Sequence, residues 1–147
     1  MLRLTPRLLL WAVSLACAAS VGLALIAQHR YGMEPCPWCI LQRILFVLLA
    51  VLGLVAATLP GVARRLLSGV ALLGALGGMA AALWQHFVAA QSSSCALTLA
   101  DRIITATGLD VRWPDIFEVR ASCADAAVSV LGVPFELWSL ALFALTG

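Results

Sequence analysis

Four long apolar stretches, at about residues 8–27, 40–59, 66–88 and 126–147, dominate this chain of 147 residues. A helix of about 20 residues, rising roughly 1.5 Å per residue, crosses a hydrocarbon core about 30 Å thick. With 63% hydrophobic and 11% charged residues, the chain has more apolar surface than a water-soluble domain of this size can bury. The sequence predicts an all-α fold, a four-helix transmembrane bundle that forms a single membrane domain over residues 1–147.

The charged residues are few and lie unevenly along the chain. All seven acidic residues fall on one side of the predicted bundle, and the net charge of +2 gives no reason to expect a nucleic-acid partner. The basic residues that flank the first three stretches on the other side are Arg3, Arg7, Arg64 and Arg65. Because basic residues concentrate on the cytoplasmic side, we expect both termini there and the loops at about 28–39 and 89–125 outside.

The first stretch has a second interpretation, as a cleaved signal peptide. Arg3 and Arg7 precede it, and residues 14–17 faintly resemble a lipoprotein cleavage site that ends at Cys17. The apolar run continues well beyond Cys17, however, and its removal would leave an odd number of crossings. We therefore expect a retained membrane helix.

The fourth stretch is the least regular. Pro134 suits the first position of a helix, with Glu136 in its first turn. A helix counted from Pro134 is too short to span a bilayer, whereas one counted from residue 126 contains Gly132 and Pro134. We expect this helix to be short, kinked or without its natural tail.

The loop at about 89–125 contains a helix signal of its own. Thr98 and Asp101 have the spacing of a capping box, Leu99 and Ile103 follow at helical spacing, and Gly108 is a suitable stop. The pattern predicts a short amphipathic helix on the outer membrane surface. The alternative is a loop that simply packs on the bundle.

Five cysteines are present, and four of them lie on the predicted outer side. Cys17 falls in the middle of the first helix and is expected to be a small buried apolar residue. The other four, Cys36, Cys39, Cys95 and Cys123, face the side where bacteria keep disulfides oxidised. Four cysteines allow three pairings, and the sequence does not choose among them.

Cys36 and Cys39 form a C-x-x-C motif at the start of the second helix. Pro37 suits its first turn, and the positive end of the helix dipole favours a thiolate there. Arg43 continues the same helical stripe into the apolar run, where an arginine costs on the order of 2.5–3.5 kcal/mol at the bilayer centre. A thiolate or a polar ligand would compensate it. The alternative is an arginine that reaches the interface and has no function.

Cys95 and Cys123 bracket most of the outer loop. A disulfide there, close to a C-x-x-C motif, suggests electron transfer by thiol–disulfide exchange. A structural disulfide and a four-cysteine zinc site are the alternatives. Structural zinc sites usually use two tight pairs of cysteines, and Cys95 and Cys123 are far apart in the sequence. We therefore expect no metal.

The order of these features resembles the disulfide bond formation protein B (DsbB) family, the quinone-dependent thiol oxidases of the bacterial inner membrane. The C-x-x-C motif, the arginine four residues after Cys39 and two later outer cysteines carry the resemblance. The L-G-V-P run at residues 131–134 before the last helix completes the order. One departure is the absence of an aromatic residue from residues 124–130, where the family often has a tryptophan.

The resemblance implies a fold of four membrane helices in the lipid bilayer and a sequence of disulfide exchanges. By position, Cys95 would react with a periplasmic DsbA-like thiol oxidase. Cys123 would then exchange with Cys36.

It also implies a quinone, ubiquinone or menaquinone, drawn from the membrane pool. Cys39 would face this acceptor, Arg43 would lie beside its ring, and His86 would lie close to it. A cation at this place would stabilise both a thiolate and the charge that develops on the acceptor oxygen.

Two other functions are compatible with parts of the pattern. The vitamin K epoxide reductase-like oxidases combine a similar bundle with two cysteine pairs, but their loop cysteines precede the C-x-x-C motif. A non-enzymatic membrane protein with structural disulfides would not need Arg43 below the motif.

Overall fold

A computed structural model of the chain describes residues 5–91 and 98–147, and these residues are predominantly helical. The three long helices are α1 (Pro6–Tyr31), α2 (Pro37–Thr58) and α3 (Gly61–Phe87), and a 3₁₀ turn follows at Ala89–Gln91. All three are long and apolar enough to cross a membrane. The predicted all-α membrane bundle is confirmed, with three helices of spanning length in the described part of the chain.

The ends of α1 and α2 follow from local sequence. The Thr5 hydroxyl caps α1 by accepting a 3.3 Å hydrogen bond from the Leu8 N–H, and Gly32 ends the helix in the left-handed conformation at φ 64°. Cys36 is the N-cap of α2, which begins at Pro37 as the sequence predicts.

The outer loop contains α4 (Leu99–Thr107), α5 (Leu109–Arg112) and α6 (Pro114–Phe117). The capping box of Thr98 and Asp101 is present, and Gly108 ends α4 in the left-handed conformation, so the predicted helix is confirmed. Its Ile104 is buried with Phe117 against Ile40 of α2. One face of this loop therefore packs on the bundle.

The last helix, α7 (Phe135–Thr146), has 12 residues. At 1.5 Å per residue it is about 18 Å long, which is short of a hydrocarbon core. It begins at Phe135 and not at residue 126, because a small antiparallel hairpin of β1 (Ser129–Val130) and β2 (Val133–Pro134) precedes it. The hairpin turn places Leu131 and Gly132 at φ 55° and 79°, where a right-handed helix cannot continue.

The helices meet in an apolar core between α1, α2, α3 and α7. The rings of Phe46 and Phe143 stack with their centroids 4.0 Å apart. Cys17 is fully buried in the same cluster, as expected for a small apolar residue. At Gly78 a Cβ atom would clash with the Phe143 ring, so glycine lets α7 approach α3 closely.

Candidate active site

The C-x-x-C motif occupies the first turn of α2, with its two sulfurs in contact. The Sγ atoms of Cys36 and Cys39 are 2.9 Å apart, and the Cys39 N–H donates to the Cys36 Sγ at 3.3 Å. Cys36 is fully buried, whereas Cys39 is partly exposed. The unpaired N–H groups and the positive dipole end of a long helix favour negative charge at this position.

Cys123 lies beside Cys36 because backbone hydrogen bonds hold the segment that precedes Cys123 against the segment that precedes α2. The backbone N–H groups of Arg120 and Ala121 donate to the Pro35 carbonyl at 3.0 and 3.3 Å. Cys123 and Cys36 belong to one buried apolar cluster, and Cys123 is 1% exposed. Three cysteines predicted to react together therefore meet at one end of α2.

The contact with Cys123 changes the acidity of Cys36. The hydrogen bond with Cys123 is the largest cause that raises the pKa of the Cys36 thiol above its ordinary value, followed by the hydrogen bond with Cys39 and by burial. Cys36 therefore retains its proton at neutral pH.

A buried pair of amides lies next to Cys39. The Gln85 Nε2 donates to the Cys39 Sγ at 3.3 Å, and the Gln85 Oε1 accepts from the Gln42 Nε2 at 2.7 Å. Gln42 fixes the orientation of the Gln85 amide, so that its N–H group points at the sulfur. Sequence reasoning assigned no role to either residue, although two glutamines inside apolar helices are an unusual signal.

The Arg43 side chain is buried inside the protein, where hydrogen bonds from two other segments hold it. It is 6% exposed, and one of its terminal nitrogens donates to the Gln28 Oε1 at 2.9 Å and to the Ile116 carbonyl. Gln28 in turn donates to the Asp115 carbonyl at 3.3 Å. The polar compensation expected for Arg43 thus comes from neutral oxygens of α1 and α6. The buried Nε of Arg43 has no hydrogen-bond partner among residues 5–91 and 98–147.

A cavity of about 1000 Å³ opens beside these residues, between α1, α2, α7 and the β1–β2 hairpin. Most of its lining is apolar. The polar side chains of α2, α3 and α7 that border it include those of Cys39, Gln42, Arg43, Gln85, Glu136 and Ser139. An apolar cavity with a few convergent donors suits a largely apolar ring that carries acceptor oxygens. Gln42, Arg43 and Gln85 are such donors at its border, so the residues present fit a quinone.

The comparisons with known proteins agree with this arrangement. The family model of disulfide bond formation protein DsbB matches residues 6–147. The chain belongs to the DsbB family. It is 34% identical over 138 residues to disulfide bond formation protein B 1 of Pseudomonas putida, covering 91% of this chain and 81% of that protein. It is 36% identical over 121 residues to disulfide bond formation protein B of Ralstonia nicotianae, covering 82% and 76%. No solved structure matches it significantly.

The predicted DsbB-type site residues do not all meet at the cavity. Cys39 and Arg43 border it, whereas His86 is absent from its described lining. The His86 Nδ1 instead contacts the Glu136 Oε1 at 2.8 Å, and Glu136 lies at the cavity wall. Sequence reasoning located Glu136 in the first turn of the last helix but assigned it no role.

Cys95 lies outside the described residues, so its predicted exchange with a partner remains a prediction. Within residues 5–91 and 98–147, no three His, Cys, Asp or Glu side chains form a group that could hold a metal ion.

Proposed function

We propose that this protein is a thiol:quinone oxidoreductase of the bacterial inner membrane, which reoxidises a periplasmic DsbA-like dithiol protein. Cys39 carries the proposal, because its sulfur contacts Cys36 and the residue also borders an apolar cavity with the buried Arg43. Membership of the DsbB family supports the disulfide chemistry. Neither a vitamin K epoxide reductase-like activity nor a purely structural role for the cysteines gains support from any observation.

The thiol reactions use the contact between Cys123 and Cys36. In the proposed sequence, the reduced partner gives two electrons and two protons to a Cys95–Cys123 disulfide and leaves oxidised. The Cys123 thiolate then attacks the Cys36 sulfur of a Cys36–Cys39 disulfide, which forms a Cys36–Cys123 disulfide, and Cys39 leaves as a thiolate. The Cys95 thiolate next attacks the Cys123 sulfur, which restores the Cys95–Cys123 disulfide and releases Cys36, and Cys36 takes up a proton to become a thiol. The helix dipole and the Gln85 amide stabilise the Cys39 thiolate.

A quinone bound in the cavity supplies an acceptor for two electrons. Cys39 would face it, and Gln85 would hold the sulfur in place. Arg43 would donate to an acceptor oxygen, and the bonds to Gln28 and Ile116 fix its guanidinium. In a cavity with an apolar lining, a fixed cation is worth more than in water.

The proposed orientation places both termini in the cytoplasm and the cysteine loops in the periplasm. It rests on the basic residues that flank α2 and α3 at their joining turn and on the acidic residues of the loops. The oxidising periplasm is also where thiol–disulfide exchange of this kind operates.

The test is a balanced assay with purified protein, a reduced DsbA-like partner and a soluble ubiquinone analogue. We expect two partner thiols to be lost for each quinol formed. Cys39→Ser should abolish quinol formation, whereas Cys17→Ala, a matched change at the cysteine buried in the core, should preserve it. Loss of thiols without quinol in the unaltered protein would refute the quinone assignment.

Cys95 is tested separately. Cys95→Ser should still reduce the quinone analogue when dithiothreitol reduces Cys36 and Cys39 directly. It should no longer oxidise the partner protein, and unimpaired partner oxidation would exclude Cys95 from the exchange.

A further inference from the structure

Glu136 is a buried carboxyl group at the wall of the cavity. It is 4% exposed and lies in the first turn of α7. Burial of a carboxylate is unfavourable unless another group compensates it. In the described part of the chain its partner is His86, with 2.8 Å between Oε1 and Nδ1.

His86 connects this carboxyl group to the surface. Its side chain is 31% exposed and stands near the end of α3, whereas the Glu136 side chain is almost entirely enclosed. The two side chains therefore form a short path from the exposed imidazole, near the end of α3, to the carboxyl group at the cavity. Both groups transfer protons readily, and general acid–base catalysis commonly uses them.

The other ionisable groups at the cavity do not provide an equivalent path for protons. On α2 these are Cys39, which contacts Cys36 and Gln85, and Arg43, which is not within ion-pair distance of Glu136 among the described residues. On α1 it is Tyr31, which is 78% exposed. The hairpin segment that borders the cavity contributes no ionisable side chain.

We propose that Glu136 donates a proton to the quinone and that His86 returns that proton from water. The inference rests on the proposed function and adds to it the route of the protons. When the pair holds one proton, it is either a carboxylate with an imidazolium or a carboxylic acid with a neutral imidazole. The acid form supplies the donor at the cavity.

The reaction balances as follows in electrons and protons. The Cys36 thiol and the Cys39 thiolate lose two electrons and one proton and become a disulfide, while the quinone gains two electrons and two protons. One of those protons comes from Glu136, which regains it from His86, and His86 regains it from water. The other comes from the Cys36 thiol. The proton drawn from water replaces the one released to water when the exchange left Cys39 as a thiolate, so no net proton is consumed.

Glu136→Gln tests the carboxyl group with little change of shape. The variant keeps a hydrogen-bonding side chain beside His86 but cannot transfer a proton. We expect kcat for quinol formation to fall about a hundredfold, within the range of general acid catalysis, with the quinone KM changed less than threefold. Glu118→Gln, at an exposed carboxylate paired with Arg120, is the matched control and should behave as the unaltered protein does.

Chemical rescue separates proton transfer from a structural role. In Glu136→Ala, added formate should restore quinol formation at least tenfold, and it should have no effect on Glu136→Gln. His86→Gln should slow the reaction similarly, and the double variant should be no slower than Glu136→Gln alone, because the two residues act in one path.

A measurement without quinone checks the fold. The rate at which dithiothreitol reduces the Cys36–Cys39 disulfide, and the unfolding temperature in detergent, should be the same in Glu136→Gln as in the unaltered protein.

A quinol kcat within twofold of normal in Glu136→Gln would overturn the inference and leave the proposed function intact. A raised KM with normal kcat would also overturn it, since the carboxyl would then only bind. If the unaltered protein reduced no quinone, the proposed function itself would fail.

Discussion

The amide of Gln85 donates a hydrogen bond to the sulfur of Cys39 across the interface between α3 and α2. Gln42 accompanies Cys39 on α2 and holds the same amide from its other side. The sulfur that borders the cavity is therefore oriented by a second helix, and the two buried amides depend on each other.

Replacement of Gln85 by leucine should impair both reactivity and stability. The change removes the donor to Cys39 and leaves the Gln42 amide buried without its acceptor, at a cost of about 1–3 kcal/mol. We expect a lower unfolding temperature in detergent and slower quinol formation. In the double variant Gln42→Leu/Gln85→Leu, stability should largely return but quinol formation should not. If both returned together, the amide would have only a packing role.

Replacement of Arg43 by lysine should weaken quinone binding more than folding. Lysine keeps the charge, but its single ammonium replaces a planar guanidinium with five N–H donors and cannot both hold Gln28 and Ile116 and donate into the cavity. We expect the quinone KM to rise about tenfold, as measured by steady-state quinol formation. Arg30→Lys, at an exposed arginine near the end of α1, should leave KM unchanged. An unaltered KM in Arg43→Lys would show that charge alone is sufficient.

Alkylation of the reduced protein should distinguish Cys36 from Cys39. Because the pKa of Cys36 is raised, chiefly by the hydrogen bond with Cys123, its reactive thiolate is scarce at neutral pH and increases only as the pH rises. Iodoacetamide at pH 7 should label Cys39 first, as read by mass spectrometry, and labelling of Cys36 should accelerate at higher pH.

Cys123→Ala removes the largest cause of that raised pKa and should speed the labelling of Cys36 at each pH. Preferential labelling of Cys36 in the unaltered protein at pH 7 would contradict this assignment.

Gly78→Ala should destabilise the bundle. The added methyl group would clash with the Phe143 ring, and overpacking of this kind typically costs about 1–3 kcal/mol. We expect a lower unfolding temperature in detergent. Gly77→Ala, one position earlier on α3 with nothing within 4 Å of its Cβ position, should have little effect. Equal stability of the two variants would show that α7 can move away from α3 without cost.

Features governed by local sequence were predictable. The capping box at Thr98 and Asp101 and the start of α2 at Pro37 follow from residues only a few positions apart, and both are confirmed. The stripe of Cys36, Cys39 and Arg43 likewise follows from helical periodicity alone.

Features that depend on the meeting of distant segments could not be read from the sequence. Gln28 and the Ile116 carbonyl reach Arg43 from α1 and α6, and no local pattern pairs them. The hairpin before α7 was missed because its turn places Leu131, a residue other than glycine, in the left-handed region. Glu136 was identified as a first-turn residue, but only the packing of α7 on α3 brings it to His86.

The hydrogen bond from Arg43 to the Ile116 carbonyl links the cavity proposed for the quinone to the loop proposed for disulfide exchange with the partner. The same guanidinium borders the cavity and anchors α6, a short helix of the loop that leads to Cys123. If α6 shifts when a partner docks, Arg43 loses the Ile116 carbonyl as an acceptor. Arg43 would then respond both to the docked partner and to a molecule bound in the cavity. Binding of the partner would alter the affinity for quinone, and bound quinone would alter the affinity for the partner.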